Sequence, residues 1–265
     1  MVDKSEKVVW LARLGFVARG VVYVLLGYFA LSSTGASRAQ DGPSGAFEWI
    51  QHVPGGTVIL FVAAIGLLGY ALFRFSCALF DTERHGTDVK GIGHRIAFFC
   101  SGLIHVFLAW TAAQFAYGAK RQADDSTQDM ANTVLTIDFG SVALGIAGLA
   151  LLVAGFMQGK DALTAKFMNR VSVRAPQATC WIGRIGYGAR GVVFLVMGWS
   201  LLRSAWFERS SEVLSLGSAL TDLRDMGLLY TLVALGLLMF GVFSVIVARY
   251  RVIPDPTPKG HPSHA

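Results

Sequence analysis

Two arginines stand inside long apolar stretches of this 265-residue chain, and they are its strongest candidates for chemistry. Arg19 follows the segment WLARLGFVA, and Arg190 follows WIGRIGYGA. A guanidinium in apolar surroundings is costly to bury, so it usually has a partner or binds an anion. Arg13, Arg95 and Arg184 stand at the start of such stretches. One hypothesis is therefore an anion site on the cytoplasmic half that all five share, of the kind that holds lipid head groups.

The alternative is that Arg19 and Arg190 only fix the depth of their helices. Arg19 lies about five residues beyond Leu14, or roughly 7–8 Å. Helical side chains lean toward the N-terminus, so an arginine can extend back over most of that distance and cap a helix end or meet a lipid phosphate. The central part of every apolar stretch lacks Asp and Glu, which favours an external anion.

His105 is a buried polar candidate in the third apolar stretch. It lies about nine residues beyond Ile96, or roughly 13 Å into the stretch. We expect it to pack in the interior and bond to a neighbouring carbonyl or hydroxyl. A proton relay would need an acidic partner, and a haem would need a second histidine at similar depth; the sequence offers neither. The three cysteines form no CxxC pair, so we predict no disulfide, metal site or cofactor.

Glycines recur on the same stretches and predict close helix packing, because small residues let helices approach in lipid. The recurring positions are Gly20, Gly27, Gly102, Gly191 and Gly198. They do not form a phosphate-binding loop, since no Gly-Lys-Ser/Thr sequence occurs. HExxH, GxSxG and paired carboxylates within the apolar stretches are missing too. We therefore predict no enzyme activity and no catalytic residue.

These candidates must be positioned by membrane helices. The chain is 54% hydrophobic and 15% charged, whereas about a quarter of a soluble domain is charged. A helix needs about 20 apolar residues to cross a bilayer. Six stretches qualify: about 11–33, 57–80, 94–117, 139–158, 182–204 and 228–250. We predict an all-α polytopic membrane protein in which residues 1–253 form one bundle and residues 254–265 a disordered tail.

The charges predict how the bundle is oriented. Lys and Arg concentrate at both termini and in the loops after the second and fourth stretches, whereas the other loops are richer in acids. By the positive-inside rule, we predict that the protein lies in a bacterial inner membrane with both termini on the cytoplasmic side. The net charge of +6 does not indicate nucleic-acid binding, because the cations stand at the ends of apolar runs. Two of the opposite loops, residues 46–53 and 210–225, are predicted to form interfacial helices whose apolar side chains lie on the bilayer.

The apolar stretches repeat as hairpins. WLARLGFVARGVVY at residues 10–23 returns as WIGRIGYGARGVVF at 181–194 and, altered, as IGHRIAFFCSGLIH at 92–105. Three hairpins follow, at about 10–81, 92–168 and 181–251, and all enter from the same side. Such parallel repeats predict a pseudo-threefold bundle, with a row of hairpins as the alternative.

The repeated ARGVV core, with its two arginines and the following Gly27 or Gly198, resembles a bacterial membrane family called domain of unknown function 1206. The resemblance covers the chain from about Trp10 to Arg251. It implies tandem two-helix repeats, usually three, in a membrane, and it implies no activity. The second repeat departs from the pattern, since Ser101 replaces the second arginine and His105 replaces an aromatic residue.

The leading functional hypothesis is a non-enzymatic membrane protein with a structural or regulatory role. Its partners would be membrane lipids and either a second copy or another membrane protein, with an anionic lipid or ligand at the arginines. The alternative is a small transporter or channel for an anionic solute. An axis lined by Arg19 and its equivalents would favour transport, and one lined by Tyr23 and its equivalents would favour a closed core. A redox enzyme, the third class, would show a visible chromophore.

Overall fold

The computed structural model describes residues 4–32, 36–81, 86–118 and 123–252, and these ranges contain ten α-helices. The helices are α1 (Lys4–Leu31), α2 (Ala36–Gln40), α3 (Pro43–His52), α4 (Gly56–Phe80), α5 (Val89–Ala116), α6 (Ala123–Leu135), α7 (Gly140–Thr164), α8 (Thr179–Phe207), α9 (Leu216–Asp222) and α10 (Leu228–Tyr250). Six of them (α1, α4, α5, α7, α8 and α10) are long and apolar enough to cross a membrane. The predicted all-α, six-span architecture is confirmed. The predicted tail, 254–265, lies outside the described residues.

The six long helices follow one another around the bundle in chain order. Extensive interfaces join α1 to α4, α4 to α5, α7 to α8, α8 to α10, and α10 back to α1. Within the described residues, α5 and α7, the two helices of the second hairpin, form no such interface. The three-hairpin plan is therefore present, but the second hairpin is open. The three interfaces between hairpins are all present in the described residues, whereas only two of the three interfaces within hairpins are.

Between hairpins, the first helix of each repeat packs against the second helix of another through a predicted glycine. A Cβ added at Gly20 would lie 2.9 Å from the carbonyl oxygen of Gly241, and one at Gly191 would lie 3.0 Å from that of Gly155. Gly102 occupies the equivalent place and faces the ring of Phe75. Gly27 and Gly198 repeat the contact one level further along, on α10 and α7. Close backbone approach of this kind is what small residues allow.

Within the two closed hairpins, a different glycine is decisive. A Cβ at Gly15 would lie 2.5 Å from the carbonyl oxygen of Gly66, and one at Gly186 would lie 2.7 Å from the Cα of Phe240. Both glycines are buried. The second repeat has Ala97 at this position, and Ala97 is exposed. The methyl group of alanine does not fit the close approach seen in the other two hairpins, which is consistent with the open second hairpin.

Short helices cover the end of the bundle opposite to the chain termini. The predicted helix at 46–53 is present as α3, whose Phe47 lies against Phe115 of α5 at 6.2 Å between ring centroids. The segment 210–225 folds as two 3-10 turns around α9. The prediction that its apolar side chains lie on the bilayer is wrong, because Val213, Leu220 and Leu223 are at most 4% exposed and pack into the bundle.

Candidate functional site

Arg19 on α1 points into the bundle and contacts α4 and α10. Its Nη1 donates to the hydroxyl of Tyr70 at 2.8 Å, and its Nη2 donates to the Oγ of Ser244 at 3.2 Å. The guanidinium carbon also lies 5.0 Å from the ring centroids of Phe16 and Tyr70 and 5.1 Å from that of Phe240. Charge-assisted hydrogen bonds and cation–π contacts together hold this arginine. Arg19 therefore links the helices of the first hairpin to the last helix.

Tyr70 is the acceptor that two arginines share. The Nε of Arg74 donates to the same phenol oxygen at 2.9 Å. Tyr70 is fully buried, and its ring lies 4.5 Å from that of His105. A phenol oxygen has two lone pairs, so the two guanidinium groups occupy its accepting capacity. Arg74 lies within α4 and not in the loop that follows it.

Arg190 on α8 is half-buried and has a different environment. Its guanidinium carbon lies 4.3 Å from the ring centroid of Phe240, 4.9 Å from Phe194 and 5.6 Å from Tyr23. Its Nε is buried, and Arg190 donates no hydrogen bond to any of the residues that the structure describes. Arg19 and Arg190 both contact the ring of Phe240, so this one aromatic side chain connects the two cations.

These side chains belong to a layer of six polar positions, two from each repeat, which we call the interior polar layer. The first helices contribute Arg19, Ser101 and Arg190, and the second helices contribute Arg74, Gln158 and Ser244. The last three each lie seven residues before the residue that follows their helix. The layer itself contains three arginines and no carboxylate.

Arg95 and Arg184 lie at a different level, at the ends of neighbouring helices. The Nε of Arg95 donates to the carbonyl oxygen of Ala78 at 2.7 Å, and its Nη2 donates to that of Leu79 at 3.0 Å. The Nη2 of Arg184 likewise donates to the carbonyl oxygen of Leu163 at 3.2 Å. Carbonyls in the last turn of a helix have no partner within it, and these arginines supply one.

Arg13 stands at the equivalent position in the first repeat but does not cap α10. It donates no hydrogen bond to the described residues, and its Nε is buried. The carbonyl oxygen of Tyr250, at the end of α10, accepts from the backbone N–H of Ser172 at 2.8 Å instead. The five predicted arginines therefore lie at two levels, and only Arg19 and Arg190 belong to the interior polar layer.

His105 lies next to this layer, on α5. Its Nδ1 lies 2.7 Å from the carbonyl oxygen of Ser101 and therefore carries the proton of that hydrogen bond. It is packed and bonded to a carbonyl, as the sequence analysis expected. Within the described ranges, no three His, Cys, Asp or Glu side chains come together as metal ligands.

The sequence analysis missed the contribution of the second helices. Tyr70, Arg74, Gln158 and Ser244 were not predicted as site residues, because the recognisable motif lies on the first helices alone. A repeat alignment of the second helices would have found them, since Arg74, Gln158 and Ser244 are polar residues at matching positions in apolar segments. Gln158 is 9% exposed, and its Oε1 is buried without a hydrogen-bond partner.

Comparison with known proteins agrees with the repeat structure. Residues 14–81, 96–165 and 185–251 match the family described as Domain of Unknown Function (DUF1206). The chain is also 32% identical over 262 residues to the uncharacterized protein YxxB of Bacillus subtilis (strain 168), which covers 94% of each chain. No solved structure matches. Three family segments, one for each hairpin, show that the chain belongs to the DUF1206 family, whose function is uncharacterised.

Proposed function

We propose that this protein is a non-enzymatic integral membrane protein that binds an anionic group, such as a phosphate, at its interior polar layer. Its role is structural or regulatory, and the bound anion completes the fold of the layer. The proposal also places the protein in the bacterial cytoplasmic membrane with both termini in the cytoplasm. The concentration of Lys and Arg at the termini and in the loops on the same side supports that orientation.

The environment of Arg190 carries the proposal. Its charge is half-buried against three aromatic rings and lacks a hydrogen-bond acceptor among the described residues. Cation–π contacts contribute about 2 kcal/mol or more when they are desolvated, whereas an uncompensated buried ion costs several kcal/mol. A bound anion would supply both the countercharge and the missing acceptor. Guanidinium groups are well suited to phosphate because their planar N–H groups can donate in pairs.

The aromatic side chains around the layer favour retention of an anion over its passage through the bundle. Tyr70 and Phe240 are fully buried. Phe240 lies 4.9 Å from Tyr23 and 5.6 Å from Tyr187, measured between ring centroids. These rings fill the interior beside the arginines. The packing therefore supports a binding protein more than the alternative of a channel or transporter.

Native mass spectrometry of the protein in native-lipid nanodiscs tests the proposal. We expect the wild-type protein to retain a phosphate-bearing ligand that both Arg190→Gln and Arg19→Gln lose. Arg184→Gln is the matched control, because Arg184 lies on the same helix as Arg190 but donates to a helix end. Equal ligand content in the wild type and in the two layer variants would contradict the proposal. Loss in Arg184→Gln alone would move the site to the helix ends.

A further inference from the structure

We infer that the ligand of the interior polar layer enters sideways from the bilayer, between α5 and α7, and is therefore an anionic lipid. This inference rests on the proposed function and specifies its ligand. The starting point is the gap between α5 and α7, the one place where the ring of long helices is open among the described residues. Three observations support the inference: the surface of the opening, the covered ends of the bundle, and the position of the cations relative to the gap.

The opening has a surface unlike that of the closed hairpins. In the second repeat, Ala97 stands where the closed hairpins have Gly15 and Gly186, and Ala154 stands where they have Tyr70 and Phe240. Ala97 is exposed and Ala154 is half-buried, whereas their four counterparts are all buried. The two large rings that fill the closed hairpins are thus replaced by a methyl group. The surface at these two positions of the opening is therefore apolar, as the surface beside an acyl chain must be.

The two ends of the bundle are covered by packed segments. On the side where the chain begins, Phe167 of the α7–α8 connection stacks on Tyr187 at 4.8 Å and meets Phe243 edge-on at 5.1 Å between ring centroids. Val171 in the same connection pairs with Arg251, whose guanidinium carbon lies 5.3 Å from the ring centroid of Phe16. At the other end, α9 packs on α2, α6, α8 and α10. A ligand therefore meets less protein if it arrives from the side.

Both edges of the opening reach the interior polar layer through one neighbouring residue. From α5, His105 contacts Tyr70, which accepts from Arg19. From α7, the Cβ of Gln158 lies within 3.7 Å of the place a Cβ on Gly191 would occupy, and Gly191 follows Arg190 in the chain. A head group that enters between these edges would come within one residue of each of the two cations. Because the layer contains no carboxylate, its charge favours an anion.

Chemistry and geometry together indicate a phospholipid phosphate. A free phosphate and a lipid phosphate offer the same oxygen acceptors to Arg190, so the arginines alone do not distinguish them. Only the lipid can also use the apolar opening, because its acyl chain can pack there against apolar side chains as it does in the bilayer. The buried carboxamide of Gln158 adds a polar group next to the same phosphate position.

The test has two parts: it compares the binding of a whole lipid with that of its head group, and it blocks the opening with a tryptophan. The full-length protein is purified in detergent and offered phosphatidylglycerol or glycerol phosphate, and bound ligand is measured by native mass spectrometry. We expect phosphatidylglycerol to bind at least tenfold more tightly than glycerol phosphate. Ala154→Trp fills the opening and should reduce bound phosphatidylglycerol at least tenfold. Val153→Trp is the matched control, because the adjacent Val153 is 55% exposed on the outside of the bundle.

A second variant protects the test against misfolding. Ala150 lies on the same face of α7 and is exposed, so Ala150→Trp should fold and should also reduce binding. Lateral entry would be overturned if Ala154→Trp and Ala150→Trp bound as much phosphatidylglycerol as the control Val153→Trp. Binding of glycerol phosphate as tight as that of the lipid would do the same, and so would a copurifying protein helix in place of lipid. In each of these cases the proposed function would stand if Arg190→Gln still lost its anion.

Discussion

The closed first and third hairpins differ from the open second hairpin at the positions where the two helices of a hairpin would meet. In each closed hairpin, a glycine on the first helix lets the second helix approach closely. The two contacts are Gly186 with Phe240 and Gly15 with Tyr70. An arginine of the first helix also lies against each of these rings. The second hairpin has Ala97 and Ala154 at these places. Removal of the glycine, the ring and the arginine together leaves α5 and α7 without an extensive interface among the described residues.

The difference shows that one repeated plan can serve two purposes. Interfaces between hairpins use a glycine in all three repeats, at Gly20, Gly102 and Gly191, so the bundle is held together throughout. Interfaces within hairpins are kept in two repeats and lost in one. On our proposal, the one weakened interface gives a lipid access to the interior. The second repeat is therefore best understood as the opening and the other two as its frame.

The largest difference in stability between closed and open hairpins should come from substitution of the glycine that the closed hairpins share. Gly186→Leu should lower the free energy of unfolding by about 3 kcal/mol, because the new side chain would overlap the backbone of Phe240. Ala97→Leu at the equivalent exposed position should change it by less than about 0.5 kcal/mol. Equilibrium unfolding in mixed micelles measures both values. Similar losses for the two variants would mean that the second hairpin is closed.

Substitution of the two interior arginines by leucine should change stability in opposite directions and by different amounts. Arg19→Leu should cost about 2 kcal/mol of stability in lipid-free detergent, because Tyr70 loses one of its two donors and Ser244 loses the donor to its hydroxyl. Arg190→Leu removes a half-buried charge that donates no hydrogen bond to described residues, so it should raise stability by about 1 kcal/mol. Thermal unfolding of both variants measures the contrast. A comparable loss in Arg190→Leu would indicate that the protein itself satisfies this arginine.

The arginines at helix ends should give the smallest difference. Arg184→Gln should lower stability by about 1 kcal/mol, since the carbonyl of Leu163 loses its donor. Arg13→Gln should have less than half that effect, about 0.5 kcal/mol at most, because Ser172 already satisfies the end of α10. The same unfolding assay applies to both. A larger effect for Arg13→Gln would give Arg13 a role that the described contacts do not contain.

Much of the fold could be predicted from the sequence because it depends on length and repetition. The six spans, the three hairpins and the inward position of His105 all follow from apolar runs and a motif that recurs at 10–23 and 181–194. The burial of Leu220 could not be predicted, because an amphipathic loop segment packs equally well on lipid or on protein. The pairing of Arg19 with Tyr70 could not be predicted either, since it depends on which faces of α1 and α4 meet.

The open second hairpin also escaped prediction. Ala97 and Ala154 are ordinary residues in a membrane helix, and their meaning appears only when the equivalent contacts of the closed hairpins are known. The replacement of an arginine by Ser101 is visible in the sequence, but it does not by itself indicate an open hairpin. All three substitutions lie on α5 or α7, the two helices that share no extensive interface among the described residues.

The most direct test of the opening is a distance measurement by pulsed electron paramagnetic resonance in lipid nanodiscs. Spin labels at Ile92 and Leu163 span the second hairpin, and labels at Trp10 and Leu79 span the first at equivalent, exposed positions. Both pairs are placed in a variant whose three cysteines are replaced by alanine. We predict that the second-hairpin distance is longer by at least about 5 Å, half the spacing of a packed helix pair. Equal distances in the two hairpins would contradict the account.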